Sequence, residues 1–199
     1  MQKLVIASNN AGKLREFQRL LAPLGIEILT QAQLGIREAE EPHCTFVENA
    51  LAKARHASRE SGLPALADDS GICVDALGGA PGVYSARYAG EPKSDARNNL
   101  ALLDALQNQP NRRAHYYCVL VFVRHPDDPQ PLLAEGEWHG EILTTSQGDG
   151  GFGYDPLFLV REFGKTAAQL DHDQKHAISH RGKAMQVLLE KMGKRSRAA

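Results

Sequence analysis

Apolar positions along the chain alternate between two spacings. Lys3-Leu4-Val5-Ile6-Ala7 reads as a buried first strand, and Leu14, Phe17, Leu20, Leu21 and Leu24 then recur at helical spacing up to Gly25, a helix stop. Glu27-Ile28-Leu29-Thr30 predicts a second strand, after which Glu38-Ala39-Glu40-Glu41-Pro42 is polar enough for a solvated loop. Thr45-Phe46-Val47-Glu48 has the spacing of a capping box. The stripe Phe46, Val47, Ala50, Leu51, Ala54 and Ala57 predicts a helix that ends at Gly62. A short apolar run from Leu63 to Ala67 leads into Asp68-Asp69-Ser70-Gly71, read as the end of a strand and the start of a glycine turn, with Ile72-Cys73-Val74 resuming a strand. Gly78-Gly79-Ala80-Pro81-Gly82 is a turn-rich loop leading to Tyr84-Ser85-Ala86-Arg87-Tyr88. Leu100, Leu102, Leu103 and Leu106 mark a helix from about Ser94. Residues Tyr116 to Val123 are apolar throughout, as in a strand covered on both faces. Leu132 to Leu143, with Trp138, predicts one or two antiparallel strands. Leu157-Phe158-Leu159 predicts another strand, and Ala184, Val187, Leu188 and Met192 a last helix. The alternation points to an α/β fold.

Length and charge narrow this picture. With 199 residues, 42% hydrophobic and 24% charged, the chain suits one sizeable core and is short for two independent ones. One domain over residues 1–199 is expected, with two lobes around a cleft. A formal net charge of -1 gives no global pull toward nucleic acid or an anionic membrane, so an anion must be held by a local cluster of cations. Lys191, Lys194, Arg195 and Arg197 read as a solvated helix end. No stretch approaches the ~20 apolar residues that span a bilayer, and Met1 leads into a strand without a signal-peptide pattern, so a cytoplasmic protein is expected. Cys44, Cys73 and Cys118 stand too far apart for a zinc or disulfide pattern and read as small apolar fillers.

Five stretches carry candidate chemistry. Adjacent carboxylates repel, so Asp68-Asp69 suits a site shared with a cation, a proton or a phosphate-bound metal; Asp, Ser and Gly also gather at strand-turn junctions for backbone reasons alone. Ser8-Asn9-Asn10-Ala11-Gly12-Lys13 joins a strand to a helix and so presents backbone N–H groups and a lysine to an anion. It lacks the spaced glycines of a Walker A loop, and Leu14 stands where Ser or Thr would bind magnesium. Glu48, Asn49 and Lys53 lie near one another on the second helix, as a surface Glu–Lys pair or as a cation and an acid beside Asp69. In Gly148-Asp149-Gly150-Gly151-Phe152-Gly153-Tyr154-Asp155-Pro156, glycine permits close backbone approach and the aromatics can stack on a planar ring, or the stretch is a flexible hairpin with its aromatics tucked into the core. His172, His176 and His180 recur every four residues without a second cluster to complete a metal sphere. Lys175, His180 and Arg181 read better as donors to an anion or a base edge.

Taken in order, Ser-Asn-Asn-Ala-Gly-Lys, Thr-Phe-Val-Glu-Asn-Ala with Lys53-Ala54, Ala-Asp-Asp-Ser-Gly, Gly-Gly-Ala-Pro-Gly-Val-Tyr-Ser-Ala-Arg-Tyr, Gly-Gly-Phe-Gly-Tyr-Asp-Pro and Ser-His-Arg-Gly resemble the Ham1-like inosine triphosphate pyrophosphatases. The resemblance covers Ser8 to Arg181. It implies a central mixed β-sheet flanked by helices, two lobes around a nucleotide cleft, a homodimer, and Mg²⁺-dependent hydrolysis of non-standard purine nucleoside triphosphates (ITP, dITP, XTP) to monophosphate and pyrophosphate. By motif it also implies that Ser8, Asn9, Asn10, Ala11, Gly12 and Lys13 hold the phosphates, and that Asp69 is the catalytic carboxylate and a magnesium ligand. Ser70, Phe152, Gly153, Tyr154, Asp155, Lys175, His180 and Arg181 would contact the nucleotide. A second metal ligand is implied at Glu40-Glu41, assigned here to Glu41. Ser8 stands where threonine is also common and keeps the hydroxyl.

The chemistry agrees with that resemblance. Cutting between the α and β phosphates requires neutralised charge, an in-line water and a carboxylate to take its proton. Lys13, Lys53 and Mg²⁺ suit the first, and Asp69 with Asp68 or Glu41 the rest. Two alternatives come from other classes. Asp69-Ser70-Gly71 matches the aspartic-protease tripeptide, whose two carboxylates share a proton, and the same loops would serve a nucleotide-binding module without catalysis.

Overall fold

The computed structural model describes residues 3–196. Met1, Gln2 and residues 197–199, with Arg197 of the basic tail, lie outside the described residues, as do the side chains of Leu24, Lys194, Arg195 and Ser196. Strands β1 (Lys3–Ala7), β2 (Glu27–Thr30), β3 (Ala65–Val74), β4 (Arg113–Val123), β5 (Leu132–Ile142), β6 (Phe158–Val160) and β7 (Lys165–Thr166) form a 7-stranded sheet in the order β2-β1-β3-β4-β5-β6-β7. Helices α1 (Ala11–Leu21), α2 (Phe46–Ser61) and α3 (Asp95–Ala105) alternate with β1 to β4, and α4 (His172–Ile178) and α5 (His180–Ser196) follow β7. β1 pairs in parallel with β2 (Leu4 opposite Ile28) and with β3 (Ile6 opposite Leu66), while β6 is antiparallel to β5 and β7. The sheet is therefore mixed. Parallel neighbours need a crossover, and α1 and α2 supply them.

The helix boundaries have local causes. Thr45 caps α2 by accepting from the Glu48 amide at 3.4 Å, and its hydroxyl donates to the Glu48 carboxylate at 2.5 Å. Past α1, a 3-10 turn over Ala22–Leu24 closes on Gly25 at φ 63°, a left-handed conformation that glycine adopts at little cost.

The chain divides into two compact units, Met1–Asp69 with Cys118–Gly136 and Arg181–Ala199, and Ser70–Tyr117 with Glu137–His180. The single core expected from length is replaced by two apolar clusters. Leu4, Ile6, Phe17, Leu21, Leu66, Leu120 and Met185 belong to the cluster of the first unit; Ile72, Leu102, Tyr116, Trp138, Leu157 and Phe158 belong to that of the second. Strands of ten or eleven residues make this possible, because β3, β4 and β5 each pass from one unit into the other.

Other expectations shift locally. Residues 68–71 form no turn: β3 runs unbroken from Ala65 to Val74 and is buried at all but two positions, Ser70 and Cys73. The stretch expected to give one or two strands forms a single one, Leu132–Ile142. Cys118 is buried as a filler should be, Cys73 is half-buried and Cys44 is exposed. Leu100 leaves the apolar stripe of α3 and is 62% exposed.

Burial therefore sorts the apolar residues. Phe17→Ala, at 0% exposure, should destabilise the protein by about 3–5 kcal/mol. Leu100→Ala should stay within about 0.5 kcal/mol. Urea denaturation of both variants checks the contrast.

Candidate active site

Consecutive residues of a strand point to opposite faces, so the adjacent carboxylates of β3 are separated by the fold. Asp68 is enclosed. Its Oδ2 accepts from Arg181 Nε at 2.9 Å and from Cys118 Sγ at 3.2 Å, its Oδ1 is paired with Lys13 Nζ, and Arg181 Nη1 in turn is paired with Glu16 of α1. Burial opposes ionisation of Asp68, but Arg181 and Lys13 outweigh it and hold the carboxyl well below its usual range. Burial and the neighbouring Asp68 charge push the Cys118 thiol far up, so it stays a donor.

Asp69 has a different environment. Its Oδ1 accepts from Lys53 Nζ at 3.0 Å, and the same ammonium lies 2.7 Å from Glu41 Oε1. Its Oδ2 is buried without a hydrogen-bond partner. Burial raises the Asp69 pKa against the pull of Lys53 and Lys13. For Lys53, burial works against the charge, and Asp69 and Glu41 outweigh it to raise the pKa. Lys53 thus pairs with these two acids, not with Glu48. Glu41 reaches it from the loop before α2, whereas Glu40 is exposed.

The Ser8–Lys13 stretch forms the entry to α1. Asn10 is the helix cap, its Oδ1 accepting from the Lys13 amide at 3.0 Å, and Ser8 Oγ accepts from the Asn10 amide at 3.2 Å. Asn9, Asn10 and Ala11 are exposed, and the Lys13 side chain turns onto Asp68.

In the second unit the organising group is Asp155. Its Oδ2 accepts from the Phe152 amide at 2.8 Å and from Lys175 Nζ at 2.5 Å, and its Oδ1 from the Tyr116 hydroxyl at 3.2 Å. Burial, then Asp155, pushes the Tyr116 hydroxyl well above its usual pKa, so it remains a donor. Lys175 Nζ also lies 5.2 Å from the centroid of the Phe152 ring. The loop is tied to α3, since the Gly153 amide donates to Asp95 at 2.7 Å and Asn99 Nδ2 donates to the Gly153 carbonyl at 2.9 Å. Tyr154 is buried with its hydroxyl on the Ser85 carbonyl at 2.8 Å. His180 stacks on Tyr116, centroids 4.7 Å apart. Ser70, half-buried, is the next residue of β3 after Asp69.

The glycines here serve the protein itself. A Cβ at Gly151 (φ 74°) would stand 2.1 Å from Asp155 Oδ2, and one at Gly150 would stand 2.6 Å from the Ala168 carbonyl oxygen. Their small size lets the turn wrap the Asp155 carboxylate and pack on Ala168.

The expected residues thus gather around Asp68 and Asp69 in one unit and around Asp155 in the other. Sequence reasoning missed Glu16, Cys118 and Tyr116. Glu16 carried a faint signal, lying one turn after Lys13 on α1, while the others were submerged in apolar runs.

The donor set fits a small hard cation. An unpartnered buried carboxylate oxygen on Asp69 beside Glu41 offers two carboxylates. Among the described residues no group of three or more His, Cys, Asp or Glu is placed to hold a metal. Mg²⁺ accepts that arrangement, because it keeps several waters and takes one or two carboxylates plus substrate phosphates.

A mixed α/β sheet that carries carboxylates, lysines and a capped helix N-terminus is a scaffold suited to a phosphate-bearing ligand. More narrowly, the chain belongs to the Ham1 family, whose model matches residues 4–191. It is 66% identical over 190 residues to a dITP/XTP pyrophosphatase of Nitrosomonas europaea (96% of this chain, 94% of the relative). It is 64% identical to one of Ralstonia nicotianae (96% and 97%). The structure of a HAM1 protein from Coxiella burnetii matches with a TM-score of 0.92 at 45% identity, covering 98% of this chain and all of that one.

Two substitutions probe these networks. Asp68→Asn keeps the shape but strands Arg181 and Lys13, which should cost about 3–5 kcal/mol. Because the folded pKa of Asp68 lies below the ordinary value of 3.8, its contribution is complete above that pH and is lost as pH falls through the lower folded value. The gap between wild type and variant in urea denaturation should therefore narrow below that pH. Gly151→Ala should cost more than Gly153→Ala, where φ is also positive but nothing lies within 4 Å. Left-handed strain of about 1–3 kcal/mol is common to both, and their difference in denaturation reports the clash with Asp155.

Proposed function

We propose that this protein hydrolyses the non-standard purine nucleoside triphosphates ITP, dITP and XTP to the nucleoside monophosphate and pyrophosphate, removing them from the nucleotide pool as a cytoplasmic homodimer. The observation that carries the reading is Asp69. It is a buried carboxylate with one oxygen on Lys53 and the other unpartnered, in a chain of the Ham1 family whose relatives include named dITP/XTP pyrophosphatases.

The Asp69 carboxylate accepts the proton of the attacking water, a role that suits a carboxyl whose pKa burial has raised. Lys53, steadied between Asp69 and Glu41, offsets phosphate charge, and Ser8 to Lys13 hold the β and γ phosphates at the start of α1. Asp69 and Glu41 would hold Mg²⁺, which supplies further charge neutralisation on the phosphate oxygens. Asp68 is held by Lys13 and Arg181, so proton sharing with Asp69 in the aspartic-protease manner has no support in the geometry.

Phe152 to Asp155 with Lys175 and His180 read the purine, and Ser70 contacts the nucleotide. Lys175 beside the Phe152 ring offers a donor next to a stacking face, which suits the O6 acceptor of hypoxanthine or xanthine. Adenine presents an amino donor there, and an unpaired buried donor costs about 1–3 kcal/mol. Arg181 serves the nucleotide indirectly, by fixing Asp68 and with it the course of β3 at Asp69.

A panel of nucleoside triphosphates incubated with Mg²⁺ and resolved by chromatography tests this. ITP, dITP and XTP should yield monophosphate and pyrophosphate in equal amounts, ATP should be a very poor substrate, and EDTA should abolish turnover. Asp69→Asn should fold and lose about 10²–10⁴-fold in kcat. Orthophosphate with a diphosphate as first products, or wild-type turnover in Asp69→Asn, would overturn the assignment.

A further inference from the structure

Asn49 lies in a motif for which the proposed reaction gives no role, and it is 1% exposed. Its Oδ1 accepts from the His43 amide at 3.1 Å, and its Nδ2 donates to the His43 carbonyl at 3.1 Å. One carboxamide thereby satisfies both backbone groups of a single residue, as a strand partner would. Two turns further along α2, His56 Nε2 donates to the Arg37 carbonyl at 2.8 Å, since a carbonyl can only accept. Between them stands Lys53, whose ammonium meets Glu41. Residues 49, 53 and 56 are spaced i, i+4 and i+7, which is one face of a helix. That face holds the polar segment from Arg37 to His43 near both ends, with Glu41 inside it.

We infer that Asn49 is the positioning residue that fixes Glu41 for metal binding, with His56 securing the far end of the same segment. The inference rests on the reading of Asp69 and Glu41 as the metal ligands. Lys53 cannot do this work alone. Its ammonium is shared with Asp69 and sits on a flexible stem, and phosphate charge entering the site competes for it. The Asn49 clamp is neutral and bidentate to backbone, so it keeps its geometry when Lys53 turns to substrate. Asp at this position would set a carboxylate oxygen against the His43 carbonyl, and Ala would offer neither donor nor acceptor.

The test uses the substrate-free protein, with Mn²⁺ as probe, followed by the paramagnetic signal of the unbound ion. Asn49→Ala should weaken Mn²⁺ binding about 10–100-fold, the range for groups that orient a metal ligand. In metal-free protein, trypsin should cut after Arg37 faster than in wild type. His56→Ala leaves the Asn49 clamp intact and should weaken Mn²⁺ binding by less, while it frees the Arg37 carbonyl and should speed cleavage there at least as much; it carries the test if Asn49→Ala does not fold. Glu41→Gln is the reference. If Glu41→Gln loses Mn²⁺ but the folded Asn49→Ala, or His56→Ala in its place, binds as wild type does, the positioning role is wrong. If Glu41→Gln binds Mn²⁺ normally, or wild type binds none, the metal assignment fails and this inference fails with it.

Discussion

The buried carboxylate of Asp68 is the constraint on which the first unit depends. Its partners come from α1 (Lys13, and Glu16 through Arg181), β4 (Cys118) and α5 (Arg181), so one charge ties three elements to β3. Such a cluster is weak evidence for extra stability, because desolvation offsets most of the Coulomb gain. What it imposes is register. Only one setting of β3 brings Asp68 to these cations, and a slip of one residue would exchange Asp68 and Asp69 between faces.

That register determines the chemistry next door. Asp68 is saturated by its own partners, whereas Asp69 keeps an oxygen without a partner, and burial raises its pKa. An unpartnered buried oxygen is a local cost that the surrounding packing sustains, and sites of this kind concentrate where function requires them. The second unit follows a comparable rule. Asp155 collects Tyr116, Lys175 and the Phe152 amide, and so presents an aromatic ring beside a cation without being a free acid itself.

Much of the fold was legible because its signals are local. Hydrophobic periodicity gave β1, β2, α1, α2 and α3, and Thr45, Ser94 and Gly25 marked ends where side-chain or left-handed backbone geometry closes a helix. Signals failed where residues had two meanings. Asp-Asp-Ser-Gly reads as a turn by composition, yet β3 runs straight through it because each carboxylate finds cations at its own face. Gly150 and Gly151 read as room for a ligand and are instead room for Ala168 and Asp155.

By itself the sequence determined the elements, the α/β class, the family resemblance and the residue types available for phosphate chemistry, since all of these depend on local spacing or ordered motifs. Tertiary structure decided which of two adjacent aspartates is sequestered, that Lys53 meets Glu41 and Asp69 instead of Glu48, and that Arg181 is held by Asp68 and Glu16. It also divided the apolar residues into two clusters where length suggested one. Each of these depends on pairs far apart in the chain, such as Arg181 with Asp68, whose meeting is set by strand order and helix packing and leaves no mark on local spacing.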